Sequence, residues 1–186
     1  MADHDRDLAY IEALGAELKA YLLGKDLYWP LGGVLPRGTL GGLFLRLHRL
    51  GSAQGTLTDT QQMKYTNARA QIEDELGRWH VQAEEKILRE IKARIGAWDA
   101  YIDELEQNAR RYAPDYPTQA AGRTIIVFLM EYAGKAINGQ GFTSRLIVLD
   151  KRLSNMSEDD AFVWDEVYQS AFPREAYWWL YIWPTI

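Results

Sequence analysis

The chain has 186 residues, 47% apolar and 25% charged, with a formal net charge of −5. That composition belongs to a folded globular protein, long enough to bury a core without covalent staples. The lack of cysteine excludes disulfides, thiol catalysis and thiolate metal sites, and the acidic balance disfavours general nucleic-acid binding, which depends on neutralising phosphates.

Met1 to Asp7 is acidic and polar, without the basic start and apolar run of a secretory signal. No stretch reaches the roughly 18 apolar residues of a membrane span. A cytoplasmic protein without membrane association is expected, organised as a single helical domain over residues 1–186.

Between residues 7 and 23, Leu8, Ile11, Leu14, Leu18 and Tyr21/Leu22 recur at helical spacing, and Gly24 offers a stop. Residues 26–38 carry Trp29-Pro30, Gly32-Gly33 and Pro36, which break helix and strand alike. Their apolar side chains must still pack against the body. Thr39 is placed to cap a short helix to about Leu50.

Residues 57–112 predict one long amphipathic helix, capped by Thr58 or Asp59. Ile72, Leu76, Trp79, Ala83, Ile87, Ile91, Ile95, Trp98, Ile102, Leu105, Ala109 and Tyr112 follow one another at steps of three or four. From Ile91 the steps become heptad-like. Acid-before-base pairs such as Glu85/Arg89 and Glu106/Arg110 occupy other faces. Such a helix would span roughly 80 Å at about 1.5 Å per residue, whereas a compact domain of this size measures about 40 Å. It must either bend, with Gly77 and Gly96 the expected places, or project from the body and pack on a second copy. The stripe keeps phase through both glycines, which argues against a hairpin turn there.

Residues 116–138 contain the β-branched run Thr124 to Val127 but begin at a proline, and residues 143–153 follow a glycine turn. With no third strand to complete a sheet, both are read as helices rather than a hairpin. Ser157-Glu158-Asp159-Asp160 predicts a further helix to about Ala171, and Pro173 another, ending before Pro184.

The two-glycine loop from Gly33 to Thr39 lacks the lysine of a phosphate loop, and Pro36 removes an amide. His48 and His80 lack the Glu-x-x-His spacing of a carboxylate metal site, and no serine sits in Gly-x-Ser-x-Gly. No catalytic, cofactor or metal site is therefore expected. Glu131 follows the most apolar run, where burial would perturb a carboxylate, although Lys135 stands four residues on to pair with it. Arg37, Arg46, His48 and Arg49 form the best local basic cluster for an acidic group. Four of the seven tryptophans fall after residue 160. Adjacent Tyr177, Trp178 and Trp179 cannot all face one core from a helix, so Trp178 and Trp179 are candidate contacts to a ligand or partner.

The reading is an all-α, antiparallel bundle-like fold with one long kinked helix and an aromatic-rich helical tail. Its expected role is a non-catalytic interaction or scaffolding protein, most simply a homodimer, with an unidentified protein partner also in view. The alternative is a small-molecule binder or enzyme with an aromatic-lined pocket between helices.

Overall fold

The computed structural model describes residues 4–185. The fold is all-α: α1 His4–Leu23, α2 Leu40–Ser52, α3 Asp59–Arg78, α4 His80–Tyr112, α5 Tyr116–Ala133 and α6 Phe142–Asn155. A single pair of short strands accompanies them, β1 Ser157–Asp159 and β2 Ile182–Pro184. Among the described residues no helix is long and apolar enough to cross a membrane. The chain divides into two compact units, Met1–Glu90 and Ile91–Ile186.

In the first unit α1 presents Leu8, Ile11, Leu14, Leu18 and Leu22 inward, all buried. It runs in the same direction as α3. Gln61 donates to the Asp5 carboxylate and Gln71 to the Gly15 carbonyl, each across the same separation of 56 positions. A Cβ at Gly15 would come within 3.3 Å of Ile72, so the glycine sets how closely α1 and α3 approach. Helix α2 returns antiparallel: its partner recedes from Glu90, at Gly41, to Tyr65, at Leu47. Thr39 caps α2 as the sequence suggests, accepting from the Gly42 N–H at 3.0 Å. The fully buried Glu90 accepts from the Gly41 N–H at 3.0 Å, a carboxylate at the positive end of a helix dipole. Helix α3 begins with a complete capping box between Thr58 and Gln61.

The long helical stretch bends, but not at its glycines. It is interrupted at Trp79 (φ −115°, ψ 36°) and again at Asn108 (φ −160°, ψ 78°). The Trp79 indole is held by Glu75 at 3.1 Å and lies under the Lys19 ammonium. Asn108 restarts the last turn as a cap, its Oδ1 accepting from the Arg111 N–H at 3.1 Å. Gly77 and Gly96 stay helical because tertiary anchoring outweighs their propensity cost. The apolar stripe is covered within one chain: Ile72, Leu76, Ala83, Ile87, Ile91, Ile95, Trp98, Ile102 and Leu105 are all buried.

In the second unit α6 runs parallel to α4, with Arg145–Asp99 and Arg152–Glu106 both 46 positions apart. Arg152 also reaches Asp99 and Asp103. Helix α5 is the centre, with Ile126 and Leu129 fully buried.

The expected helices over 157–171 and beyond Pro173 do not form. Instead β1 pairs antiparallel with β2, Glu158 opposite Trp183. Residues 166–171 and 178–180 are short 3-10 turns. The Asp160 and Val163 N–H groups donate to the Tyr181 and Leu180 carbonyls, so the backbone bonds a helix would have made are spent across the tail. Off a helix, Tyr177 and Trp179 are both buried while Trp178 between them is half-buried. Phe162, Trp164, Phe172 and Tyr181 pack ring on ring.

Candidate functional site

Helix α5 opens with Pro117, whose missing N–H costs nothing in a first turn, and continues through Ala120, Ala121 and Gly122. These small residues leave room beside α4. Arg123 follows, a cation at the head of the most apolar run in the chain, and its side chain is 8% exposed. Its Nε and Nη2 donate to the two Asp150 oxygens at 2.9 and 2.7 Å. The guanidinium lies 4.0 Å over the Trp179 ring. Trp179 is fixed in turn: its Nε1 donates to Thr124 at 2.9 Å, and its carbonyl accepts from the Tyr116 hydroxyl at 2.6 Å. Burial raises the Tyr116 phenol well above its ordinary pKa, so it stays a donor.

The guanidinium is therefore locked in one plane with one nitrogen left over. Arg123 Nη1 is buried and has no hydrogen-bond partner among the described residues. Across from it on α4, Trp98 is 2% exposed and stacked on Tyr101. Its indole Nε1 is likewise buried and without a partner. Both residues line one cavity of about 260 Å³ between α4 and α5. Arg94, Ala97, Gln119, Ala121 and Gly122 contribute to its wall, and no acidic side chain among the described residues does. A Cβ at Gly122 would meet nothing within 4 Å. A buried donor left unsatisfied costs about 1–3 kcal/mol, and two residues that carry such donors meet at this one cavity.

Larger cavities are present, and in two of them a lining arginine is paired with a nearby carboxylate. One of about 390 Å³ is lined by His48, Ser52, Tyr65, Arg69 and Glu73; Arg69 pairs with Glu73, and the Tyr65 hydroxyl donates to the Leu47 carbonyl. Another, of about 530 Å³, lies along the tail beside Asp160 and Arg174, where Arg174 is bound to Asp159. Among the described residues no group of three or more His, Asp or Glu is arranged to hold a metal ion.

The basic cluster does not assemble into one site. Arg37 is exposed and contacts the Tyr28 carbonyl. Arg46 turns inward, 3.7 Å over the Tyr10 ring and 3.4 Å from Asp7, with a bond to the Gly42 carbonyl. His48 and Arg49 are half-buried on α2. Glu131 is exposed on α5, despite the apolar run before it. Trp178 stays at the surface of the tail, and Trp179 reaches the cavity indirectly, as the shelf under Arg123. Trp98, Arg123 and Gly122 were not singled out as site residues by their sequence alone. The available signal was an arginine immediately preceding Thr124-Ile125-Ile126-Val127, where a charge demands a partner. No protein-family model, no curated protein and no solved structure matches the chain.

Proposed function

We propose that this is a non-catalytic helical protein whose second unit binds a small molecule in the cavity between α4 and α5. One observation carries the reading: Trp98 and Arg123, each with a buried N–H that has no acceptor among the described residues, line the same cavity. Small-ligand sites are typically apolar concavities with a few placed polar groups, and a wall of Ala97, Ala121, Gly122, Ile125 and Trp98 with Thr118, Gln119 and two arginines is consistent with that description. The cysteine-free sequence fits residence in a reducing cytoplasm. The test is a fragment screen read on the tryptophan side-chain resonances of the ¹⁵N-labelled protein, with the Trp98 signal assigned by Trp98→Phe. Some fragments should move the Trp98 indole resonance saturably. A diverse screen at millimolar concentration that leaves it unmoved would overturn the reading.

Self-association is the second reading, and its support differs from what the sequence offered. The long stripe no longer asks for a second copy, because one chain buries it. What favours pairing is Ile147 and Val148 on α6, exposed to 63% and 51%. A stable two-fold contact would bury at least about 1,200 Å². Light scattering at micromolar concentration should then give twice the 21.4 kDa chain mass, and a monomer mass would dismiss it.

A further inference from the structure

We infer that the ligand of the α4–α5 cavity is a small monocarboxylate with an apolar body, an inference that rests on the binding role proposed above. The unsatisfied groups are both N–H donors, so the matching head group is an acceptor. One donor belongs to a guanidinium, whose hydrogen bonds are strongest to an anionic oxygen. Two arginines and no carboxylate line the cavity, in a chain whose net charge is −5. With Arg123 already paired to Asp150, what favours an anion is that no carboxylate on the wall opposes it. The rest of the wall is Ala97, Ala121, Gly122, Ile125 and the Trp98 ring, with Thr118 and Gln119 as uncharged polar members; its apolar share suits an apolar body and makes a dianion costly to strip of water. The cavity of about 260 Å³, roughly nine water-sized volumes of about 30 Å³, has room for a body the size of benzoate or hexanoate. Asp150 performs a positioning role: by taking Nε and Nη2 of Arg123 it fixes where Nη1 points.

Calorimetric titration of the full chain with benzoate, benzamide, benzyl alcohol and inorganic phosphate tests the class. Benzoate should bind at one site, at least tenfold tighter than benzamide or benzyl alcohol, and phosphate should show no saturable binding. Gly122→Leu fills space that is open beside α5 without touching either donor, and should weaken benzoate at least tenfold. Trp98→Phe keeps an aromatic ring in a smaller side chain, removes one donor, and should weaken benzoate about tenfold, so the inference does not depend on a single variant. Circular dichroism confirms that each variant is folded. Benzamide binding as tightly as benzoate, or phosphate binding in its place, overturns the carboxylate and leaves the cavity reading standing. Benzoate binding undiminished in folded Gly122→Leu overturns the inference by placing the anion elsewhere. If none of the four probes binds while screened fragments still move Trp98, the ligand class is wrong; if no fragment moves it either, the cavity reading fails as well.

Discussion

Replacing Arg123 with methionine should destabilise the second unit by roughly 3 kcal/mol, the lower end for breaking a buried ion pair. The substitution removes both bonds to Asp150, at 2.9 and 2.7 Å, and the guanidinium lying 4.0 Å over Trp179. Most of the cost comes from stranding the Asp150 carboxylate, whose side chain is 18% exposed; that residual access to water sets the value at the lower end. The lost cation–π contact, about 0.5–2 kcal/mol, is largely offset because a methionine sulfur also packs well on an aromatic ring. Asp150→Leu alone strands the arginine in the same way. The double variant Arg123→Met/Asp150→Leu leaves no buried charge, and should cost much less than the sum of the two. Urea unfolding at constant m-value closes the cycle, with an expected coupling of about 2–3 kcal/mol. If Arg123→Met costs under about 1 kcal/mol, or if the two single costs simply add, Asp150 does not hold the guanidinium, and the reason for an idle Nη1 disappears.

Gly77→Ala and Gly96→Ala should each stabilise by about 0.5–1 kcal/mol, since both glycines lie inside helices and a Cβ at either meets nothing within 4 Å; a loss of stability in urea unfolding would place a bend there after all. Ile91→Ala should cost about 2–5 kcal/mol, because Ile91 is fully buried, and a cost near zero would mean that the α4 stripe is not core. Hydrogen bonds from Arg152 hold the Glu106 carboxyl below its ordinary range. A depressed folded-state pKa contributes stability that is present above the unfolded value and is lost as pH falls through the folded one. In side-chain carboxyl NMR titration Glu106 should therefore titrate below a model glutamate, and return towards it in Arg152→Met; an unchanged titration in the variant would remove Arg152 as the cause.

Where periodicity and caps agreed, the sequence was a sufficient guide. Thr39 and Thr58 cap as their positions suggest, and the three- and four-residue steps from Ile72 to Leu105 place every one of those side chains but the half-buried Trp79 in the core. The helical reading of 124–130 over a strand was also right, because Pro117 and the length of the run outweighed its β-branched residues. The bends were misplaced for a physical reason. Propensity points to glycine, but the interruptions at Trp79 and Asn108 come from side chains that bond locally: an indole to Glu75, and a carboxamide to the Arg111 N–H. A Trp in an apolar stripe reads as core, and an Asn on a polar face reads as solvent. Neither announces itself as a break.

The tail and the cavity were hidden by a common cause, which is that both depend on partners distant in sequence. Ser157 to Asp160 satisfies every local rule for a helix start, yet its backbone is claimed by residues 180–184, a pairing that no local window contains. Once that pairing holds the segment off helix geometry, Tyr177 and Trp179 can enter the interior from one strand of chain, and Trp179 can lie under Arg123. Arg123 then has a face on an indole and two nitrogens on Asp150, 27 positions away. Its third nitrogen is idle because the first commitments fix the plane, and the Trp98 Nε1 is likewise without an acceptor among the described residues. The helical stripe had asked for burial of Trp98 and received it; what periodicity cannot express is whether a buried indole has somewhere to put its proton. That question is answered by residues distant in sequence: on α5 Arg123 is engaged with Asp150, and none of the other residues that line the cavity bonds the indole.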